Sequence, residues 1–203
     1  MTPDEARDQL AFLRAIAEPD ESWQRGFGQG YFAGGLCYGV QILLHAAQFF
    51  GLLPDVGPIT LLISAGPTVV FLAIMIWLTA RDRNAPKGGA TARAVASVFA
   101  GVGLANFALI AIVAFSAIRL HNLEVWLIYP CIVMILQSMA WFVAWTMRRR
   151  SWFGVMALGW LVVGLAMGFT IQIIWAYLTV LGLGLLGLMM VPGLILMRQA
   201  RTS

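Results

Sequence analysis

Charge is what this sequence most lacks. Of its 203 residues 61% are apolar and only 11% are Asp, Glu, Lys or Arg, where soluble domains run at about 45–50% and about 25%. Water cannot solvate a surface so poor in charge, whereas lipid can. The deficit is also concentrated, because no charged residue occurs in 26–54, 56–80, 94–118, 125–147 or 151–197. A helix crosses the hydrocarbon core of a bilayer in about 20 apolar residues. The first four stretches have room for one span each and the last for two, which predicts six transmembrane helices.

Other absences narrow the chemistry. There are two cysteines, Cys37 and Cys131, and two histidines, His45 and His121. Cys37 lies early in an outward-running span and Cys131 early in an inward-running one, so they belong to opposite leaflets and cannot form a disulfide. With His45 they make no metal-ligand spacing, and no metal is expected. His121 falls in a loop, which leaves His45 without a second strong axial ligand for haem. No Ser-His-Asp or Cys-His arrangement, carboxylate pair or zinc-protease signature lies in the spans. Gly26, Gly28 and Gly30 follow no strand and lack the last spacing of a nucleotide loop. The expectation is a protein that is not an enzyme and carries no cofactor. The first 25 residues are polar and acidic, and the next apolar run is too long for a signal-peptide core, so no cleavable signal is expected.

The charges that are present sit in order. The net charge is +4 and the isoelectric point is basic, but the basic residues mark span boundaries instead of forming the stripe that nucleic acid needs. Arg7, Arg14 and Arg25, then Arg81, Arg83, Lys87 and Arg93, then Arg148, Arg149 and Arg150, then Arg198 and Arg201 fall at alternate ends of successive spans. Only Arg119 breaks the parity. The positive-inside rule then places both termini and the loops 81–94 and 148–150 in the cytoplasm, with 52–58, 119–124 and 170–175 outside. Trp23, Trp77, Trp145 and Trp152 at one boundary and Trp126, Tyr129, Trp175 and Tyr177 at the other agree with interfacial belts.

The expected organisation is an all-α membrane protein in three parts. Residues 1–25 form a cytoplasmic segment with an amphipathic helix over 3–18, capped by Thr2 and started by Pro3. Its Glu18, Asp20 and Glu21 repel an anionic lipid surface, so it suits a protein partner at the cytoplasmic face. Residues 26–197 form a six-helix bundle with spans at about 30–52, 59–80, 95–118, 125–147, 152–171 and 175–197, paired as three hairpins. Residues 198–203 form a cytoplasmic tail. Arg25 leading to Phe32-Ala33-Gly34 and Arg93 leading to Phe99-Ala100-Gly101 hint at an internal repeat, which the third hairpin does not share. Gly30-xxx-Gly34, Gly35-xxx-Gly39 and Gly164-xxx-Gly168 suit close helix packing, inside the bundle or in a homo-oligomer.

The least lipid-like span is the first. Tyr38, Gln41, His45 and Gln48 recur at i, i+3, i+7 and i+10, which puts four hydrogen-bonding side chains on one helix face. Lipid offers them no partner, so that face should point into the bundle. Gln41, Asn106 and Gln137 each lie near the middle of their spans, with Ser138 beside Gln137. The first, third and fourth helices are therefore the expected neighbours around a polar cluster at the midplane. Gly66 and Pro67, bracketed by Ser64 and Thr68, are the candidate helix break, since proline frees a carbonyl.

Two functions fit these residues. The first is a non-enzymatic interaction, sensory or regulatory subunit of a bacterial cytoplasmic membrane, working through its bundle and cytoplasmic face. The alternative is a small channel or transporter for a neutral solute, its cavity lined by Tyr38, Gln41, His45, Gln48, Asn106, Gln137 and Ser138. The absence of any buried carboxylate, Lys or Arg argues against a charged substrate or an acidic coupling site.

Overall fold

A computed structural model of the chain describes Arg7 and residues 21–82 and 89–202. The helix expected over 3–18, Arg7 apart, and the charged residues Arg83 and Lys87 lie outside the described residues. Among the described residues the chain is helical throughout, with no strand: α1 (Glu21–Phe49), α2 (Gly57–Arg81), α3 (Ala90–Leu120), α4 (Leu123–Arg148), α5 (Ser151–Phe169) and α6 (Ile174–Leu185). A π-helical turn (Leu186–Met190) then joins α6 to α7 (Val191–Thr202). Five stretches are long and apolar enough to cross a membrane: Gly57–Arg81, Ala90–Leu120, Glu124–Arg148, Ser151–Phe169 and Ile174–Ala200, the last combining α6, the π turn and α7. The structure is thus compatible with a membrane helical bundle. α1 is 29 residues long but stands apart from these five, because its glycines and its polar face lower its hydropathy.

Local sequence explains where the helices stop. Gly51 takes a positive φ of 72° after α1, the left-handed cap that glycine adopts without a side-chain penalty. The Asn122 side chain accepts a 2.8 Å bond from the Glu124 backbone N–H at the start of α4, a standard N-cap. In the π turn the Val191 N–H reaches back to the Leu186 carbonyl. It falls just before Pro192, which has no N–H to give the ladder. α2 continues as helix through Gly66 and Pro67. Proline removes one bond there, to the Ile63 carbonyl, and that alone does not end a helix. The departure from α geometry lies in the last of the five apolar stretches instead.

In space the helices follow the order α2, α1, α6 with α7, α5, α4, α3. α2 packs mainly on α1, and α3 mainly on α4, so these two form the flanks. The core lies between them, where Trp141, Phe153, Trp160, Met167, Tyr177 and Leu196 are almost fully buried. α1 meets the α7 side at van der Waals range. A methyl group added at Gly193 would lie 2.6 Å from the Phe32 nitrogen and 2.8 Å from the Gly28 carbonyl, and one at Gly35 would lie 2.6 Å from the Met190 nitrogen. Only glycine permits backbones that close. Of the glycines expected to pack, Gly164 lies against the Cys131 carbonyl and Met134 on α4, while a methyl at Gly168 would meet nothing within 4 Å.

Candidate functional site

The polar face of α1 is met by α2. Both ring nitrogens of His45 are engaged: Nδ1 with the Gln48 amide oxygen at 3.3 Å and Nε2 with the Ser64 hydroxyl at 3.4 Å. The Gln41 amide nitrogen donates to the Ser64 backbone carbonyl at 3.1 Å. The Gln48 amide nitrogen donates to the Thr60 hydroxyl at 3.0 Å and to the Pro54 carbonyl at 3.1 Å. Thr60 in turn donates to the Asp55 carboxylate at 2.8 Å. One turn deeper, the Tyr38 hydroxyl lies beside Thr68 and its ring packs on Phe71 at 5.5 Å between centroids. At the other end of the pair the Arg81 guanidinium donates to the Gln29 amide oxygen at 2.7 Å. The seam is therefore hydrogen-bonded toward both ends, with Met75 and Phe71 packed on Gly30 and Gly34 between them.

Its partner residues, Thr60, Ser64 and Thr68, recur at i, i+4 and i+8 and so share a face of α2. That spacing is the signal by which the sequence could have paired the two helices. The Gly51 cap and the short link after it turn the chain so that the Pro54 carbonyl and the Asp55 side chain meet Gln48 and Thr60.

Asn106, Gln137 and Ser138 have partners elsewhere. Asn106 on α3 accepts from the Tyr129 hydroxyl on α4 at 3.1 Å. Ser138 on α4 donates to the Ala157 carbonyl on α5 at 2.7 Å. Gln137 accepts from the Tyr31 hydroxyl on α1 at 3.3 Å, and that hydroxyl accepts from the Trp141 indole N–H at 2.6 Å. The seven polar residues singled out in the sequence thus fall into separate helix pairs, and Gln41, Asn106 and Gln137 do not bond to one another.

Tyr31 and Trp141 anchor a second feature, an aromatic cluster at the Arg81 and Arg148 end. Tyr31 stacks on Phe27 at 5.2 Å, and both pack edge-on against Phe99 of α3, at 6.2 Å and 4.7 Å. Trp141 meets Tyr31 at 5.4 Å and Phe153 of α5 at 5.3 Å. The buried indole nitrogen of Trp160 lies close to the Tyr31 hydroxyl without reaching hydrogen-bond geometry. The rings come from α1, α3, α4 and α5, and no spacing in the sequence joins residues of four helices.

Similarity offers no shortcut to a function: no family model matches the chain, and neither a curated protein nor a solved structure is significantly similar to it. The chemistry must be read from the residues. Among the described residues no three His, Cys, Asp or Glu side chains come together as metal ligands. Cys37 and Cys131 are both free thiols. A shallow apolar groove of about 360 Å³ lies between the end of α3 and the start of α4, lined by Ala114, Ile118, His121 and Trp126. The Asp82 carboxyl, in the turn after α2, is held below the usual carboxylate range, chiefly by the Arg81 guanidinium that donates to it at 2.8 Å.

Proposed function

We propose that this chain is a non-enzymatic polytopic membrane protein that acts as an interaction, sensory or regulatory subunit. In this reading α1 is the first of six spans, the helices run as three sequential hairpins, and both termini face the cytoplasm of a bacterial cell. The observation that carries the reading is the pairwise closure of the polar side chains. Gln41, His45 and Gln48 bond within the α1–α2 pair, Asn106 within α3–α4 and Ser138 within α4–α5. Polar groups used in this way bind helices to each other. The flanks supply surface for a partner. None of the most apolar stretch of α3 is buried, and Val69 on α2 and Phe107 on α3 are both exposed.

Photo-crosslinking from Val69 and Phe107 in native membranes tests the proposal. A discrete adduct with a second protein is the expected result. Adducts with lipid alone from both positions would overturn it. The alternative, passage of a neutral solute, draws on the same polar residues. Gln41→Leu with Asn106→Leu should then abolish flux in reconstituted vesicles while the fold persists. Unchanged flux would remove it. Labelling of a cysteine placed at Asp55 from outside intact cells, and not at Arg149, is expected from the proposed orientation.

A further inference from the structure

The hydrogen bonds along the α1–α2 seam have a direction, and the direction is fixed by chemistry. Gln48 donates to the Pro54 carbonyl, which can only accept, so the amide nitrogen is identified and its oxygen is the atom facing His45. That oxygen can only accept, so His45 Nδ1 carries a hydrogen. The Gln48 nitrogen also donates to Thr60, whose hydroxyl hydrogen is given to Asp55. In the neutral imidazole Nε2 is then a bare acceptor, and the Ser64 hydroxyl donates to it. Every donor from Ser64 to Thr60 points toward the carboxylate at the chain's exposed end.

We infer that this relay of hydrogen bonds is a proton-responsive latch at the Asp55 end of the α1–α2 seam, closed when His45 is neutral and loosened at the Ser64 contact when it is protonated. The inference deepens the sensory reading above and rests on its orientation, with Asp55 facing outside. Protonation puts a hydrogen on Nε2 and leaves two donors facing each other across the Ser64 contact. Ser64 must then rotate to accept, and its own hydrogen must turn to a carbonyl of its own helix. Little else compensates the new charge. The link between the helices contributes Asp55, two hydrogen-bonded side chains away. α2 carries no charged residue before Arg81 at its far end. α6 carries Tyr177, whose hydroxyl donates to the Leu127 carbonyl at 2.8 Å. On α1 itself the nearest other titratable groups are Cys37 and Tyr38, two turns away.

The test uses full-length protein in lipid nanodiscs, carrying His121→Gln so that one histidine remains. ¹⁵N spectra of the imidazole between about pH 8 and about pH 5 give tautomer and charge directly. The expected result is an Nδ1–H neutral ring at high pH that becomes doubly protonated. Amide exchange over 42–50 and 57–64, corrected for its intrinsic pH dependence, should rise about tenfold over the same transition. His45→Gln should make that rise vanish, and Asp55→Asn should move its midpoint to lower pH, because the carboxylate favours the cation. A ring that stays neutral to about pH 5 in folded protein overturns the latch, and so does an exchange transition unaltered in His45→Gln. The spectrum needs no change at His45, so a misfolded variant does not void the result. Neither readout involves a partner, so a failed latch with a crosslinked partner leaves the functional reading standing.

Discussion

α1 makes two seams by opposite means. Toward α2 it presents Gln41, His45 and Gln48 and is held by directional bonds to Ser64 and Thr60. Toward the π turn and α7 it presents Gly28, Phe32 and Gly35, whose backbone comes within van der Waals range of Met190 and Gly193. Where apolar side chains gain nothing over lipid tails, helices associate through dispersion at short range or through hydrogen bonds. This helix divides the two between its sides. The glycine seam is rigid, because backbones in contact cannot yield. The polar seam can exchange partners, because each of its bonds can be remade.

The difference gives an ordered set of expectations. Gly193→Ala should be the most damaging, at about 3 kcal/mol, since its methyl would sit 2.6 Å from the Phe32 nitrogen. Gly187→Ala, where a methyl meets nothing within 4 Å, should leave the unfolding midpoint unchanged. Alanine favours a helix over glycine, so equal losses at the two positions would mean that the close approach at Gly193 does not govern this region. Tyr31→Phe comes next, at about 2 kcal/mol, because the ring remains while the buried Trp141 N–H loses its acceptor. A neutral outcome would show that the aromatic cluster is held by its rings alone.

The polar seam should respond less at any single position. Gln41→Leu is expected to cost about 0.6 kcal/mol, the average for a hydrogen bond between membrane helices. A double-mutant cycle on Gln48→Leu and Thr60→Val should give a coupling of the same order, read from equilibrium unfolding in bicelles. Coupling near zero would make the seam incidental. Asp82→Asn should change least, since both partners of its ion pair are exposed. Because the Asp82 carboxyl is held below the ordinary range, any contribution is present above that range and lost as pH falls below about 4. Thermal melts of wild type and Asp82→Asn should therefore overlay at neutral pH.

The distribution of charge in the sequence located the apolar helices, because a charge-free stretch of that length has few other uses. Helix ends were harder to read. α1 is already helical at Glu21, ahead of the span expected from about residue 30, because Gly26, Gly28 and Gly30 dilute the apolar signal there. In the structure Gly28 is helical and in contact with Gly193. The polar face of α1 was legible from spacing alone, while its partner was not. Periodicity says which residues share a face, and depth says which share a level. Neither says which neighbour stands opposite. Equal depth suggested Asn106 and Gln137, whereas the structure supplies Ser64 and Thr60, which reach α1 through the short link after Gly51. The π turn had a marker in Pro192, but Pro67 and Pro130 carry the same marker within continuous α-helix.

The central claim is that the polar face of the first helix is paired with the second. Cysteine crosslinking in native membranes tests it directly, in a chain lacking Cys37 and Cys131. With a short thiol-reactive linker, Gln41→Cys combined with Ser64→Cys should crosslink readily, and Gln41→Cys combined with Asn106→Cys should not. Efficient capture of the Asn106 position with none at Ser64 would contradict the pairing and return the face of Gln41 and His45 to the interior beside the third helix.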